Sequence, residues 1–217
     1  MSSSPSSPSS SSSLSSSSAP PLTRPGGRTA RVRAAVLRAA GDALVEHGLA
    51  GVDLADVARR ADVGRTTVYR RWGTVPALVA DMLAEMAEDS LPRTDSGSLE
   101  ADLRANALLV VATLTDERQG PLFRAVLAAA SCEAATAEAL HRFYAVRVAE
   151  WAPAVESAVA RGELPAGTDP AEVVRAVSAP LYYRMLTGAG PLDEAAAERA
   201  VSAAVAAARA GVFVAAS

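Results

Sequence analysis

The chain has 217 residues, half of them hydrophobic, only 4% aromatic, and a formal net charge of −3. That length builds one compact domain or two small ones with a sizeable core. The alanine-rich composition, few alternating β-branched runs and no Asn-Gly or Asp-Gly turn favour an all-α fold. All 21 basic residues are arginine, which excludes a P-loop and Schiff-base chemistry, since both need a lysine. The single cysteine, Cys132, excludes an internal disulfide and suits a reducing cytoplasm.

The charge is not spread evenly. From Arg24 to Val75 ten arginines face five acids, a net +5; from Pro76 onward eleven arginines face nineteen acids, a net −8. A basic amino-terminal part on an acidic remainder suits a DNA-binding head on a larger body.

Residues 1–22 are nearly all serine and proline and bury too little apolar surface to order themselves, so a disordered tail is expected. The tail lacks the basic start and apolar run of a signal peptide, and no later stretch of 18 uncharged apolar residues predicts a membrane span. Arg24 to Arg33 (RPGGRTARVR) is a basic lead-in to the first helix. Val32, Val36, Ala39, Ala40, Ala43 and Leu44 then mark one face of that helix, and His47-Gly48 supplies its stop.

Residues 53–72, DLADVARRADVGRTTVYRRW, read as two short helices joined by a tight turn, a helix-turn-helix. Asp53 caps the first, with Leu54, Val57 and Ala58 as its apolar side. In the second helix Val68 and Trp72 face the core, four residues apart. Arg65, Thr66, Tyr69 and Arg70 share an arc of about 140°, at 100° per residue. They are the base-reading candidates: arginine binds guanine O6 and N7, threonine offers a methyl and a hydroxyl, and tyrosine packs on a thymine methyl or bonds a phosphate. Thr67 and Arg71 flank the arc and, with Arg24, Arg28 and Thr74, are expected to contact the phosphate backbone.

On these residues the chain resembles the TetR (tetracycline-repressor-like) family of bacterial transcriptional regulators. The matching features are Asp53 as cap, Val57-Ala58, Ala61 and Val63 in the turn, Thr67-Val68-Tyr69, and the aromatic Trp72, with Thr74 capping a helix that Pro76 opens. Three positions depart from the family pattern. Asp62 replaces a turn glycine, Gly64 stands at a capping serine, and Val75 sits where a phosphate-binding lysine is frequent.

Beyond Pro76 the apolar spacing predicts helices over 76–90, from Ser98 through Leu114, from Pro121, and over about 134–160, with Pro153 bending or interrupting the last. RGELPAGTDP is a loop. Asp169-Pro170 begins a helix interrupted at Pro180, and a final helix runs from Asp193 to about Phe213. Its small residues Ala196, Ala200, Ala203, Ala204 and Ala207 allow close helix approach. The segment RGEL…DP…PLYYRML looks similar to a carboxy-terminal subtype of the family. The resemblance implies a homodimer through the last two helices, a palindromic operator in double-stranded DNA, and a small-molecule effector. The bulky body residues Met82, Met86, Phe123, Phe143, Tyr144 and Trp151 are the candidates to line an effector pocket, with Arg147 beside them, either meeting an anionic ligand or simply exposed.

Catalytic machinery is not visible. His47 and His141 lack partners at metal-ligand spacing, Cys132 reads as a buried or inert thiol, and no nucleophile elbow or dinucleotide loop occurs. No cofactor, no metal and no enzymatic activity are expected.

The expected architecture is therefore all-α. An amino-terminal three-helix helix-turn-helix DNA-binding domain (23–75) precedes a helical effector-binding and dimerisation domain (76–217). The expected function is sequence-specific transcriptional regulation, by a repressor that an effector releases. The alternatives are a low-specificity DNA-binding protein and a helical protein-interaction adaptor.

Overall fold

In the computed structural model, which describes residues 27–88 and 96–215, nine helices follow one another along the described chain. They are α1 (Arg28–Gly51), α2 (Leu54–Arg60), α3 (Arg65–Arg71), α4 (Val75–Glu88), α5 (Leu99–Thr115), α6 (Gln119–Ala130), α7 (Ala134–Ala160), α8 (Pro170–Thr187) and α9 (Glu194–Arg209). The serine-rich tail, Arg24 and most of the loop before Ser98 lie outside the described residues.

Local chemistry sets the helix ends. Asp53 accepts from the Ala55 amide at 3.0 Å, and Asp169 and Asp193 cap α8 and α9 in the same way. Gly48, at φ 65°, breaks the path of α1 in the left-handed region. Helix α1 starts at Arg28, earlier than its apolar stripe, so Arg28, Arg31 and Arg33 all ride on the helix.

The first three helices bury one face each. Val36, Leu37, Ala40 and Leu44 of α1 meet Leu54, Val57 and Ala58 of α2 and Val68 of α3 in the core. Leu37 lies outside the apolar stripe read from the sequence, yet it is as buried as Leu44. In the body, α4 packs on α7 and α1, α5 on α8 and α9, and α8 on α9. Ala196, Ala197, Ala200, Ala204 and Ala208 of α9 are buried within the chain itself, letting α9 approach its neighbours closely. Arg104 of α5 bonds Glu194 and Glu198 of α9 across the same contact.

Several expectations need correction. Both α7 and α8 run unbroken through Pro153 and Pro180. Each proline removes one backbone donor, but the carbonyl orphaned by Pro153 belongs to the exposed Ala149, where losing the helical bond costs little. Helix α6 begins at Gln119, where the Asp116 carboxylate accepts from the Arg118 and Gln119 amides, rather than at Pro121. Helix α9 ends at Arg209, short of Phe213. The residues after it pair with the loop before α8: the Asp169 amide donates to the Phe213 carbonyl at 2.8 Å. Cys132, in the turn between α6 and α7, is exposed rather than buried.

Candidate nucleic-acid interface and body cavity

The turn before α3 carries two of the departures noted above. Asp62 takes φ 53°, and the Val63 amide donates back to the Ala58 carbonyl at 3.0 Å. Gly64 then stands at the helix start in extended conformation with no side-chain cap. The result fixes the rotation of α3: Val68 is fully buried and Trp72 nearly so, which leaves Arg65, Thr66, Tyr69 and Arg70 exposed on one side. Tyr69 keeps 44% of its surface in solvent. Thr67 is half-buried; Arg71 and Thr74 are exposed beside the arc, as is Arg28 on α1. Thr74 also accepts from the Ala77 amide at 3.3 Å, capping α4.

Ion pairing sorts the arginines of this basic part. Arg33 is held by Asp81 at 2.8 Å and Glu85 at 3.1 Å, and Arg60 by Asp56 at 2.6 Å and Glu46 at 2.8 Å. Arg59 is bound to Asp56. Among the described residues Arg28, Arg65 and Arg70 make no ion pair, so their charge is uncommitted. Arg71 stacks over the Trp72 ring, its guanidinium carbon 5.0 Å from the centroid.

Asp81 is the anchor beneath α3. It accepts from the Trp72 indole N–H at 2.8 Å and from Arg33, joining α4 to the end of α3 and to α1. Burial pushes its pKa up, but the Arg33 and Trp72 hydrogen bonds, with the charge of Arg33, outweigh burial and hold the carboxyl below its usual range.

The same helix reaches a cavity of about 810 Å³ in the body. Met82 and Met86 of α4 line it, with Phe123 of α6 and Phe143, Tyr144, Arg147 and Trp151 of α7. Each of these stands out in the sequence, and the structure brings all of them to one space. Tyr182 of α8 and Asn106 of α5, which do not stand out there, also line it. Tyr182 shares its helix face with Val174 and Ser178 at steps of four. Asn106 is a lone amide in an otherwise apolar stretch, on the same face as Val110 and Thr113.

Phe123, Phe143, Tyr144 and Tyr182 touch in sequence through tilted and edge-on ring contacts. Arg147 is already engaged within the protein. It donates to Glu150 at 3.1 Å and to the Met86 carbonyl at 3.0 Å, and lies over the Phe143 ring. Asn106 Oδ1 is buried with no hydrogen-bond partner within the protein, and the buried Tyr144 hydroxyl has only the Tyr182 hydroxyl beside it. An unpaired buried group such as Asn106 Oδ1 costs about 1–3 kcal/mol. Burial first, then Tyr182, raises the Tyr144 pKa far above that of a free phenol, so the hydroxyl stays protonated.

Two family profiles match the chain. Residues 36–82 match the bacterial regulatory proteins of the tetR family, and residues 93–204 match the tetracyclin repressor-like carboxy-terminal domain. The chain belongs to the TetR family. Among its curated relatives, the HTH-type transcriptional regulator YdeS of Bacillus subtilis (strain 168) is 30% identical over 153 residues, covering 70% of this chain and 77% of its own. AqdR of Rhodococcus erythropolis is 33% identical over 150 residues, 68% of this chain and 70% of its own. Among solved structures, the TetR family regulator SCO0332 superposes with a TM-score of 0.64 at 29% identity, covering 81% of this chain and 97% of that one.

As a TetR-family protein the chain is a DNA-binding transcriptional regulator, and regulators of this family act as dimers. The first profile match spans α2, α3 and the start of α4, where the exposed arc and the Asp81 anchor lie. The second spans most of the cavity wall. No helix among the described residues is long and apolar enough to cross a membrane.

Proposed function

We propose that this TetR-family protein is a cytoplasmic repressor that binds a palindromic operator as a dimer and is released by a small-molecule effector held in the body cavity. Residues 23–75 serve as the DNA-binding domain and 76–217 as the effector-binding and dimerisation domain. Arg65, Thr66, Tyr69 and Arg70 read base edges in the major groove; Arg24, Arg28, Thr67, Arg71 and Thr74 bind phosphates. The observation that carries this reading is the double role of α4. Through Asp81 it holds Trp72 at the end of α3, and through Met82 and Met86 it forms part of the cavity wall.

That arrangement supplies a physical route for release. Five residues separate Asp81 from Met86, about 7.5 Å along a helix. Arg147 of α7 ties the cavity to α4 at the Met86 carbonyl. An occupant that favours a different α4–α7 packing tilts α4, and the Asp81–Trp72 bond carries the tilt to α3. In a dimer the two reading helices must match half-sites about 34–36 Å apart, so a tilt that changes their spacing weakens operator binding. The coupling is bounded by the effector's preference for one state over the other.

Selecting bound sites from a random DNA pool tests the reading. A discrete palindrome protected in footprinting, and weakened by an effector, is the expected result. Binding that follows salt alone, with no discrete site, favours a low-specificity DNA-coating protein. No DNA binding at all leaves a protein-interaction adaptor.

A further inference from the structure

The wall of the body cavity carries four charged residues, Arg38, Glu85, Arg118 and Arg147, among uncharged ones. Phe123, Phe143, Tyr144 and Tyr182 form a run of rings with centroids 5.3 to 6.3 Å apart. Two uncharged polar groups also line the cavity: Asn106 Oδ1, which has no partner in the protein, and the Tyr144 hydroxyl, which has only that of Tyr182 beside it. Asn106 is only 4% exposed, so its carbonyl oxygen is far from bulk solvent.

Three of the four charged residues of the wall are already committed. Arg147 is paired with Glu150, Glu85 with Arg33, and Arg118 with Asp42 at 2.7 Å. Arg38, the remaining charged residue of the wall, is exposed. A carboxylate entering the cavity must compete with Glu150 for Arg147 and lose its hydration in an aromatic space, which is costly without a dedicated cation. A cation must likewise take Glu85 from Arg33. A neutral molecule meets neither penalty, and its own hydrogen-bonding groups find Asn106 and Tyr144 waiting. The volume of about 810 Å³ falls within the range of sites for drug-sized ligands.

Resting on the effector-binding reading above, we propose that the cavity takes a neutral, mainly aromatic molecule bearing a hydroxyl or N–H group. That group donates to Asn106 Oδ1 or pairs with the Tyr144 hydroxyl, while the rings of the ligand pack among those of Phe123, Phe143 and Tyr182.

Three probes on one skeleton test the ligand class: 4-phenylphenol, 4-methoxybiphenyl and biphenyl-4-carboxylate, each titrated calorimetrically into the full chain. The phenol is expected to bind about three- to tenfold more tightly than the methyl ether, the difference one net hydrogen bond makes. The carboxylate should bind more weakly than either. Asn106→Leu or Tyr144→Phe should erase the advantage of the phenol and leave the ether unchanged, with circular dichroism confirming that both variants fold.

The proposal is overturned if the carboxylate binds most tightly, if none of the probes binds, or if the phenol's advantage is absent or survives both substitutions. Affinity of the ligand-free protein for its selected operator is measured alongside. Loss of any discrete DNA site sinks the regulator reading itself. Intact operator binding with the ranking reversed sinks only the ligand class.

Discussion

Arg65 and Arg71 lie at opposite ends of α3 and differ in what holds them. Arg65 is exposed on the first turn with no ion pair among the described residues, whereas Arg71 is stacked on Trp72 at the last. In the proposed complex, Arg65→Ala relaxes preference at one base position and costs about 1–3 kcal/mol per site, measured against operator variants. Arg71→Ala instead weakens binding to every sequence and lowers the slope of log K against log salt by about 1. Unchanged affinity and slope in both variants would mean that the reading and phosphate faces are misassigned. Asp81 makes a prediction about pH. Its folded pKa is depressed, so its contribution is complete above the unfolded value of about 3.9 and disappears as pH falls through the lower folded value. Urea unfolding from pH 6 to pH 3 should show wild type losing its advantage over Asp81→Asn only below about pH 4. The carboxyl is partly exposed, which keeps the effect modest.

At the scale of elements, the turn between α2 and α3 and the one between α5 and α6 constrain their residues in different ways. Asp62 sits at φ 53°, where a side chain is disfavoured and glycine is not. Asp62→Gly should therefore stabilise the head by up to about 1 kcal/mol, raising Tm by about 2–4 °C in a chain of this size. Gly120 is the opposite case. A Cβ there would lie 2.5 Å from the Leu114 carbonyl oxygen, backbone that cannot swing aside. Gly120→Ala should force α6 from the end of α5 and cost about 1–3 kcal/mol, read by thermal unfolding. The two turns also show what periodicity can reveal. The left-handed need at Asp62 was legible because residue type and motif position point to it together. Gly120 was not, because its constraint comes from the way the turn after Thr115 folds the start of α6 against the last carbonyls of α5. The cavity follows the same rule. Its bulky residues stood out by size, while Asn106 and Tyr182 became meaningful only once α5 and α8 were placed against α7.

At the scale of the whole molecule, the alanines of α9 divide into two sets that the sequence could not separate. Ala196, Ala200 and Ala204 are consumed inside the chain, whereas Ala203 and Ala206 remain exposed. Spacing showed that small residues recur on neighbouring turns, but which side faces the partner depends on how α5 and α8 claim the other side. On α8, Tyr183 is 63% exposed and Leu186 56%, large apolar groups that a lone subunit leaves in water. We propose that these two and the Ala203–Ala206 side of α9 form a two-fold interface in which each helix meets its own copy. Ala203→Arg places a long charged side chain where two helices should approach closely, and Tyr183→Glu removes an apolar anchor. Sedimentation velocity should show both variants shifted from dimer to monomer at concentrations where wild type remains dimeric. Affinity for the full palindrome should fall toward that for a half-site, while half-site affinity stays as it was, because α3 and its Asp81 anchor are untouched. A dimer that persists in both variants places the interface elsewhere. A parallel loss of half-site binding would instead show that the substitutions had damaged the fold.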